Sequence, residues 1–231
     1  MEDARRMGYD GTGPGDITPD GCAVELYLRL PVENEPKVIA AAAPPPATLL
    51  ELGCGVGRMS RPLTNLGYAV TAVDESRAML DRVTGVRTVH SSIEALELAE
   101  TFDVVLLASF LVNAGDPAVR QALLATCRRH VAPGGVVLIQ REGTDYHDRV
   151  PRERPLLNGV ARVAASVDDG AGARSVRVEY EFPDVRWTQT FRSRPMTPAQ
   201  FERALADAGL ALDRYLTPDG IWASARPVSS A

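Results

Sequence analysis

In the first two thirds of the chain, short runs of apolar residues alternate with stretches in which apolar residues recur with the period of a helix. Short apolar runs are typical of strands buried on both faces, and a period near 3.6 is typical of amphipathic helices. The predicted elements, in chain order, are a helix or strand at 22–30, a helix at 36–43, a strand at 48–52, a helix at 58–66, a strand at 69–73, a helix at 76–83, strands at 86–89 and 102–108, a helix at 117–129 and a strand at 136–140. Such alternation predicts an α/β fold with a parallel sheet and right-handed crossovers.

A different pattern follows residue 157. The next predicted strands, which alternate apolar and polar residues with period two, are 158–167, 173–182 and 185–191. Asp169-Gly170 and Pro183-Asp184 stand where the turns between them are expected. The chain then has the pattern of a helix at 198–208 and of strands at 210–216 and 221–225. We therefore expect an antiparallel insertion over 158–193, followed by a hairpin that rejoins the main sheet.

Amino-acid composition and charge argue against several classes of function. The 231 residues carry a formal net charge of −5, and Lys37 is the only lysine, without a long basic block, so a nucleic-acid partner is not expected. Cys22, Cys54 and Cys127 are widely spaced and lack the grouping of a zinc site, which favours a reduced, cytoplasmic protein. Neither a signal peptide nor a membrane span is predicted, because no apolar run is long enough.

The stretch Thr48 to Arg58 carries the strongest motif, since a predicted strand runs directly into three glycines spaced two apart. Without Cβ atoms, Gly53, Gly55 and Gly57 can adopt positive φ and let a ligand lie against the backbone. A dinucleotide fingerprint would read Gly-x-Gly-x-x-Gly, but Arg58 occupies the third glycine position. The glycine turn therefore predicts a nucleotide-like ligand other than a dinucleotide.

With Glu51 two residues before the first glycine, the glycine turn resembles motif I of the class I S-adenosylmethionine-dependent methyltransferases, small-molecule branch. The resemblance covers residues 47–227 and implies a Rossmann-like, mostly parallel sheet of seven strands in the order 3-2-1-4-5-7-6. Residues 1–46 are then an N-terminal lid and helices, and 228–231 a tail. For the first twenty residues, the alternative to a lid is a mobile terminus. Tyr9 is the residue that favours a lid that contacts the substrate.

The resemblance implies a set of contacts to the cofactor S-adenosylmethionine. Asp74, at the end of the second strand, would accept both ribose hydroxyls, or else only cap the next helix. Ser92 and Ile93 would contact the adenine, although the usual carboxylate is displaced or absent there and Ser92 is also a plausible helix cap. The predicted cofactor-binding residues are Glu51, Gly53, Cys54, Gly55, Gly57, Arg58, Asp74, Glu75, Ser92, Ile93, Ala108 and Ser109.

The residues that would bind the methyl acceptor, the second substrate, are indicated less clearly by the sequence. Polar residues follow the fourth and fifth strands at the carboxyl edge of the predicted sheet, where open α/β folds bind substrates. If a proton must be removed, His147 or Glu142 is the expected base, whereas His130, at a helix end, is expected to be a structural cation. The predicted substrate-binding residues are Tyr9, Asn113, Arg141, Trp187 and Gln189, with strand packing or a dimer face as the alternative for the aromatic residues of the insertion.

The resemblance implies transfer of a methyl group from S-adenosylmethionine to an N, O or C nucleophile of a small molecule, such as a secondary metabolite. No metal and no membrane are expected to take part, and the protein is expected to be a monomer or a homodimer. Two alternatives stay open: a protein that binds S-adenosylmethionine without transferring methyl, and an NAD-dependent oxidoreductase.

Overall fold

The computed structural model describes residues 6–228. Its helices are α1 (Val24–Tyr27), α2 (Glu35–Ala42), α3 (Ser60–Asn65), α4 (Arg77–Leu80), α5 (Pro117–His130) and α6 (Pro198–Asp207). Its strands are β1 (Asp10–Thr12), β2 (Ala47–Leu52), β3 (Tyr68–Asp74), β4 (Arg87–His90), β5 (Phe102–Leu107), β6 (Val131–Gln140), β7 (Arg152–Leu156), β8 (Gly159–Gly170), β9 (Ala173–Glu181), β10 (Arg186–Ser193), β11 (Leu210–Tyr215) and β12 (Trp222–Pro227).

The described residues divide into two compact units. The α/β unit comprises Val32–Gly143 with residues 196–228, and the antiparallel unit comprises residues 6–31 with Thr144–Pro195. This division differs from the predicted N-terminal segment 1–46. Helix α2 lies in the α/β unit because its Ile39 is fully buried among core residues of that unit, such as Leu49 and Leu63.

The sheet of the α/β unit has the order β11-β12-β6-β5-β2-β3-β4. Numbered within this unit, that is the predicted order 3-2-1-4-5-7-6, so the predicted fold is confirmed. β2 lies between β3 and β5 and is parallel to both, with Leu52 paired to Val73 on one side and to Leu107 on the other. The connections leave β2 in opposite directions, which makes its carboxyl end the switch point where such sheets bind ligands.

Burial on both faces explains the uninterrupted apolar runs of the central strands. On β2, Leu50 and Leu52 contribute to one core cluster, while Leu49 belongs to the cluster on the other face. Adjacent residues of β5, Leu106 and Leu107, divide between the same two clusters. Since successive side chains of a strand point to opposite faces, both faces of the sheet are covered.

Helix-capping signals correctly located the two longer helices after β5. Asp116 accepts a hydrogen bond from Ala118 N at 2.8 Å and begins α5, with Pro117 in the first turn. Thr197 and Gln200 form a capping box at the start of α6. The helix or strand predicted at 22–30 is the short helix α1, and β6 begins at Val131, earlier than predicted.

The antiparallel unit contains a separate sheet in the order β1-β10-β9-β8-β7. β8, β9 and β10 confirm the predicted inserted strands, whereas β1 and β7 were not predicted. β1 pairs with β10, with Gly11 opposite Gln189, so part of the predicted lid forms an edge strand. The unit has its own apolar cluster, which includes Leu26, Phe182 and Trp187.

Candidate functional site

The glycine turn leaves the carboxyl end of β2 in the conformation that its composition predicted. Gly53, Gly55 and Gly57 have φ values of +70°, +55° and +77°, in the left-handed region that glycine tolerates best. Cys54 N donates to Val73 O at 2.9 Å, which ties the turn to β3. A Cβ atom at Gly53 would lie 2.8 Å from Leu111 Cδ1, so a side chain there would collide as well as strain the backbone.

Asp74, the last residue of β3, lies directly against the glycine turn. Its Oδ2 accepts a hydrogen bond from Gly55 N at 2.8 Å, and its Oδ1 accepts one from Ser76 N at 2.8 Å. The side chain is only half-buried, and each carboxylate oxygen can accept more than one hydrogen bond. The structure thus brings together the two features on which the resemblance mainly depends.

Glu51 lies at the base of the same turn and is buried. Its Oε2 accepts a hydrogen bond from Ser60 Oγ at 2.6 Å. Burial raises the pKa of the Glu51 carboxyl to about 7; the Ser60 hydrogen bond and the Arg58 charge oppose this shift, while Asp74 adds to it. Arg58 also forms an ion pair with Glu35 of α2, with Nη1 2.9 Å from Oε1. Ser60, the first residue of α3 and three residues after Gly57, was missed by the sequence analysis.

The segment after β4 holds the predicted adenine contacts. Ile93 is buried in the core cluster that also contains Val73 and Leu96. Ser92 Oγ accepts a hydrogen bond from Ala95 N at 3.3 Å, the capping geometry that the sequence analysis kept as an alternative. His90 Nε2 lies 2.8 Å from the carbonyl oxygen of Glu75, and so donates to it, which links the ends of β3 and β4.

Backbone strain marks the end of β5. Ser109 and Phe110 have φ values of +54° and +61°, an uncommon conformation for residues other than glycine. Each such residue costs about 1–3 kcal/mol and persists only where its surroundings enforce it. Ser109 N donates to Gln140 Oε1 at 2.9 Å, and Ala108 precedes it at the strand end. The strained turn is therefore anchored to the end of β6.

A second link joins the loops after β5 and β6. Asn113 Oδ1 accepts a hydrogen bond from Glu142 N at 2.9 Å, and both residues are buried. The neighbouring Arg141 is also buried, donates from Nη2 to Met196 O at 2.7 Å and lies 4.9 Å above the ring of Phe201. Asn113 and Glu142 are thus brought together, whereas the Arg141 side chain extends into the packing against α6.

His147 and Tyr9 lie in the antiparallel unit. His147 Nδ1 is 2.8 Å from Ser166 Oγ, and its Nε2 is 3.4 Å from Ser193 Oγ. Arg174 Nε donates to the same Ser166 Oγ at 2.7 Å. Tyr9 donates from its hydroxyl to Arg192 O at 3.3 Å. The imidazole of His147 is therefore held by hydroxyl groups of the surrounding strands.

Trp187 and Gln189 belong to the interior of the antiparallel unit. Trp187 is 2% exposed and donates from Nε1 to Pro14 O at 2.9 Å. Gln189 is buried and donates from Nε2 to Cys22 Sγ at 3.0 Å. Burial raises the pKa of the Cys22 thiol well above its usual range. These contacts match the packing alternative that the sequence analysis named for the aromatic residues of the insertion.

Metal-binding clusters and membrane-spanning helices were sought among the described residues. Within residues 6–228, no cluster of His, Cys, Asp or Glu side chains is arranged to hold a metal ion. The described helices include none with the length and hydropathy needed to cross a membrane.

Known proteins resemble the chain in sequence and in fold. A family model described as "Methyltransferase domain" matches residues 27–215. A ubiquinone biosynthesis O-methyltransferase of Caulobacter vibrioides is 34% identical over 102 residues, which are 40% of this chain and 39% of that protein. Its counterpart in Xanthomonas campestris pv. campestris is 29% identical over 131 residues, 52% of this chain and 53% of that protein. The chain therefore spans between two fifths and about half of the length of these curated relatives.

Solved structures share the architecture over more of the chain. An S-adenosylmethionine-dependent methyltransferase from Clostridium acetobutylicum has a TM-score of 0.72 at 14% identity, covering 86% of this chain and 93% of that chain. The sugar N-methyltransferase KedS8 from Streptoalloteichus sp. has a TM-score of 0.68 at 19% identity, covering 94% of this chain and 97% of that chain. At these identities the likeness shows the fold alone. Since the family model matches most of its length and its sheet has the class I strand order, the chain belongs to the methyltransferase domain family.

Proposed function

We propose that the protein transfers the methyl group of S-adenosylmethionine to a nucleophilic N, O or C atom of a small molecule. The observation that carries this proposal is the contact between Asp74 and Gly55 at the switch point of the sheet. It combines a backbone that a ligand can approach with a carboxylate that can accept hydrogen bonds from a ribose.

The residues of the turn fit S-adenosylmethionine. The positive φ values of the three glycines form a cradle without side chains, in which a Cβ at Gly53 would collide with Leu111. A carboxylate oxygen can accept more than one hydrogen bond, so the two ribose hydroxyls can donate to Asp74 in charge-assisted bonds worth about 1.5–3 kcal/mol each. Ile93 offers an apolar side chain for one face of the adenine.

Bound in this cradle, S-adenosylmethionine would supply an electrophilic methyl group on a sulfonium centre. The chain contributes mainly by positioning. The glycine turn and Ala108 leave room for the methionyl portion, and the Ser109 turn, anchored by Gln140, fixes one wall beside it. Orientation of this kind is worth up to about 7–11 kcal/mol in a step that joins two molecules.

For the acceptor, we propose a small molecule recognised partly by the loops after β5 and β6, where Asn113 and Glu142 are linked. Glu142 or His147 is proposed as the proton acceptor, if the nucleophile requires one. The names of the relatives support a small acceptor but differ in the methylated atom, oxygen in the ubiquinone enzymes and nitrogen in the sugar enzyme. Tyr9 stays a candidate acceptor contact.

For Arg141, Trp187 and Gln189 we propose structural roles, because each is buried with partners inside its own unit. A cytoplasmic location and a monomeric or homodimeric state stay predictions from the sequence.

Calorimetric titration tests the cofactor directly. The protein is expected to bind S-adenosylmethionine and S-adenosylhomocysteine but not NAD, and Asp74→Ala is expected to weaken both affinities. Asp207→Ala, which changes an exposed carboxylate of α6, is the matched control and is expected to bind like the wild type. Tight NAD binding without S-adenosylmethionine binding would contradict the proposal.

Transfer itself is tested with S-adenosylmethionine carrying a labelled methyl group. The labelled cofactor is incubated with a pool of aminosugars and phenols, and the products are separated by mass. A labelled product with a stoichiometric amount of S-adenosylhomocysteine is expected. Cofactor binding without any methylated product would instead favour the non-methylating alternative.

A further inference from the structure

Gln140, the last residue of β6, holds the strained turn after β5 with only one of its two polar atoms. Ser109 N lies 2.9 Å from the Gln140 side-chain amide. Because a backbone N–H can only donate, the atom that it meets is the amide oxygen, Oε1. The other polar atom is therefore the nitrogen Nε2, which carries two N–H donors.

The two donors of Gln140 are not used within the described part of the chain. Among residues 6–228, no group accepts a hydrogen bond from Gln140 Nε2. The side chain is half-buried, and Nε2 is not one of the buried polar atoms that lack a partner, so solvent reaches it. Gln140 thus presents a hydrogen-bond donor that a ligand can reach.

The position of this donor is fixed before any ligand binds. Ile139 pairs with Leu107 of β5 on one side of β6, and Gln140 pairs with Trp222 of β12 on the other side. Groups on such strands keep their position more accurately than groups on loops. The φ of +54° at Ser109 persists only where the surroundings enforce it, and the bond to Oε1 is part of that enforcement.

Strand order places Gln140 on the opposite side of the glycine turn from Asp74. Asp74 ends β3, which lies next to β2 on one side, while β5 and then β6 follow on the other side. Leu107 pairs with both Leu52 and Ile139, so the carboxyl ends of β2, β5 and β6 are level. At about 4.8 Å between strands, Gln140 is about 10 Å from the end of β2. It therefore lies away from the ribose position, on the side where the proposed function places the methyl acceptor.

We propose that Gln140 is a specificity-determining residue whose Nε2 donates to an oxygen atom next to the methylated atom of the acceptor. This inference rests on the proposed function and narrows the acceptor to a compound with a hydroxyl or carbonyl oxygen beside its nucleophile. An NH2 group only donates, so it can pair with a lone pair but not with an apolar group. An acceptor without the oxygen would displace water from Nε2 and leave it without a partner, and sites built for a hydrogen bond reject such analogues.

The test uses two pairs of probe acceptors that differ in this oxygen. Catechol has a hydroxyl beside the nucleophilic one and phenol lacks it. Similarly, trans-2-aminocyclohexanol has a hydroxyl beside its amine and cyclohexylamine lacks it. Transfer of the labelled methyl group from S-adenosylmethionine to each probe is measured as kcat/KM. The wild type is expected to favour the oxygen-bearing member of at least one pair by tenfold or more.

Gln140→Glu separates recognition of the acceptor from anchoring of the turn. It keeps an oxygen for Ser109 N but loses both donors, whereas Gln140→Met, of similar length, loses the oxygen as well. Gln121→Glu, which adds the same charge on α5, is the matched control.

In Gln140→Glu, kcat/KM for the favoured probe is expected to fall at least tenfold, mainly through a higher KM for that probe. The preference over the paired probe is expected to be lost, while the Kd of S-adenosylhomocysteine stays within twofold of the wild type. Gln121→Glu is expected to keep the wild-type values. If Gln140 only anchored the turn, Gln140→Met would be impaired and Gln140→Glu would behave like the wild type, and that result overturns the inference.

A measurement on the wild type alone covers the case in which a variant does not fold. Without acceptor, the side-chain NH2 protons of Gln140 are expected to exchange with water as fast as those of free glutamine. The amide proton of Ser109 is expected to exchange at least tenfold more slowly than an unprotected amide, because it is bound to Oε1. Slow exchange of the NH2 protons, or unprotected exchange at Ser109, overturns the inference.

The outcomes separate this inference from the proposed function. If the wild type does not bind S-adenosylhomocysteine, the proposed function fails. If the wild type binds it but methylates none of the four probes, or methylates both members of each pair equally well, only the role of Gln140 is overturned.

Discussion

Replacing Glu51 with glutamine is expected to change how the stability of the protein depends on pH. Glu51 is buried at the base of the glycine turn, and its carboxyl has a pKa of about 7, compared with an ordinary value of 4.5. The folded state therefore binds this proton more tightly than the unfolded state. The stabilising contribution of proton binding at Glu51 is complete below pH 4.5 and is lost as the pH rises through 7.

The magnitude follows from the two pKa values. A change from 4.5 to about 7 corresponds to about 3 kcal/mol, at about 1.4 kcal/mol for each tenfold change in proton affinity. Glu51 is only 4% exposed, so solvent screening does not reduce this figure greatly. Glutamine has the same shape, keeps an acceptor for Ser60 and carries no charge, so the variant lacks this pH dependence.

The assay is urea denaturation of the wild type and of Glu51→Gln between pH 4.5 and 8.5. The free energy of unfolding of the wild type, minus that of the variant, is expected to fall by about 3 kcal/mol over this range. Ser60→Ala is the matched comparison. It removes a hydrogen bond that favours the ionised form, so in its background the fall caused by Glu51 should be larger and extend to higher pH. A difference that stays constant from pH 4.5 to 8.5 would refute the reasoning.

Three further predictions concern the cofactor cradle and the antiparallel unit. Asp74→Ala is expected to raise the Kd of S-adenosylmethionine tenfold or more, about 1.4 kcal/mol by calorimetry, and an unchanged Kd would argue against the ribose contact. Gly53→Ala and Gly85→Ala both place a side chain at positive φ, but only the side chain at position 53 would collide with Leu111. Gly53→Ala should therefore lose more stability in urea denaturation, and Gly85→Ala should retain cofactor affinity. Equal losses of stability would count against the collision. Trp187→Phe is expected to cost about 1 kcal/mol of stability through its lost hydrogen bond and to leave the cofactor Kd unchanged, whereas a weakened Kd would reassign it to the site.

The fold of the α/β unit was predictable because the signals that specify its strands and helices lie within short stretches of the sequence. Apolar runs and capping residues marked its strands and helices, and the spacing of the glycine turn and Asp74 indicated their meeting at one sheet edge. β1 was not predictable in this way, since Asp10, Gly11 and Thr12 have no strand pattern and form a strand only because β10 supplies the partner.

The parts of the site that were missed depend on packing. Period two predicted the strand that contains Trp187 but did not show which of its residues face the interior. The position of His130 at a helix end suggested a cation, and only the buried contact with Leu98 shows a neutral acceptor. Ser92 was ambiguous between cap and ligand contact for the same reason, because a hydroxyl suits both.

Titration of the wild type and Asp74→Ala with S-adenosylhomocysteine tests the central claim most directly. The wild type is expected to bind one equivalent per chain, and Asp74→Ala, shown to be folded by circular dichroism, at least tenfold more weakly. Equal binding by both proteins, or no binding by either, would contradict the assignment of the glycine turn and Asp74 as the cofactor site.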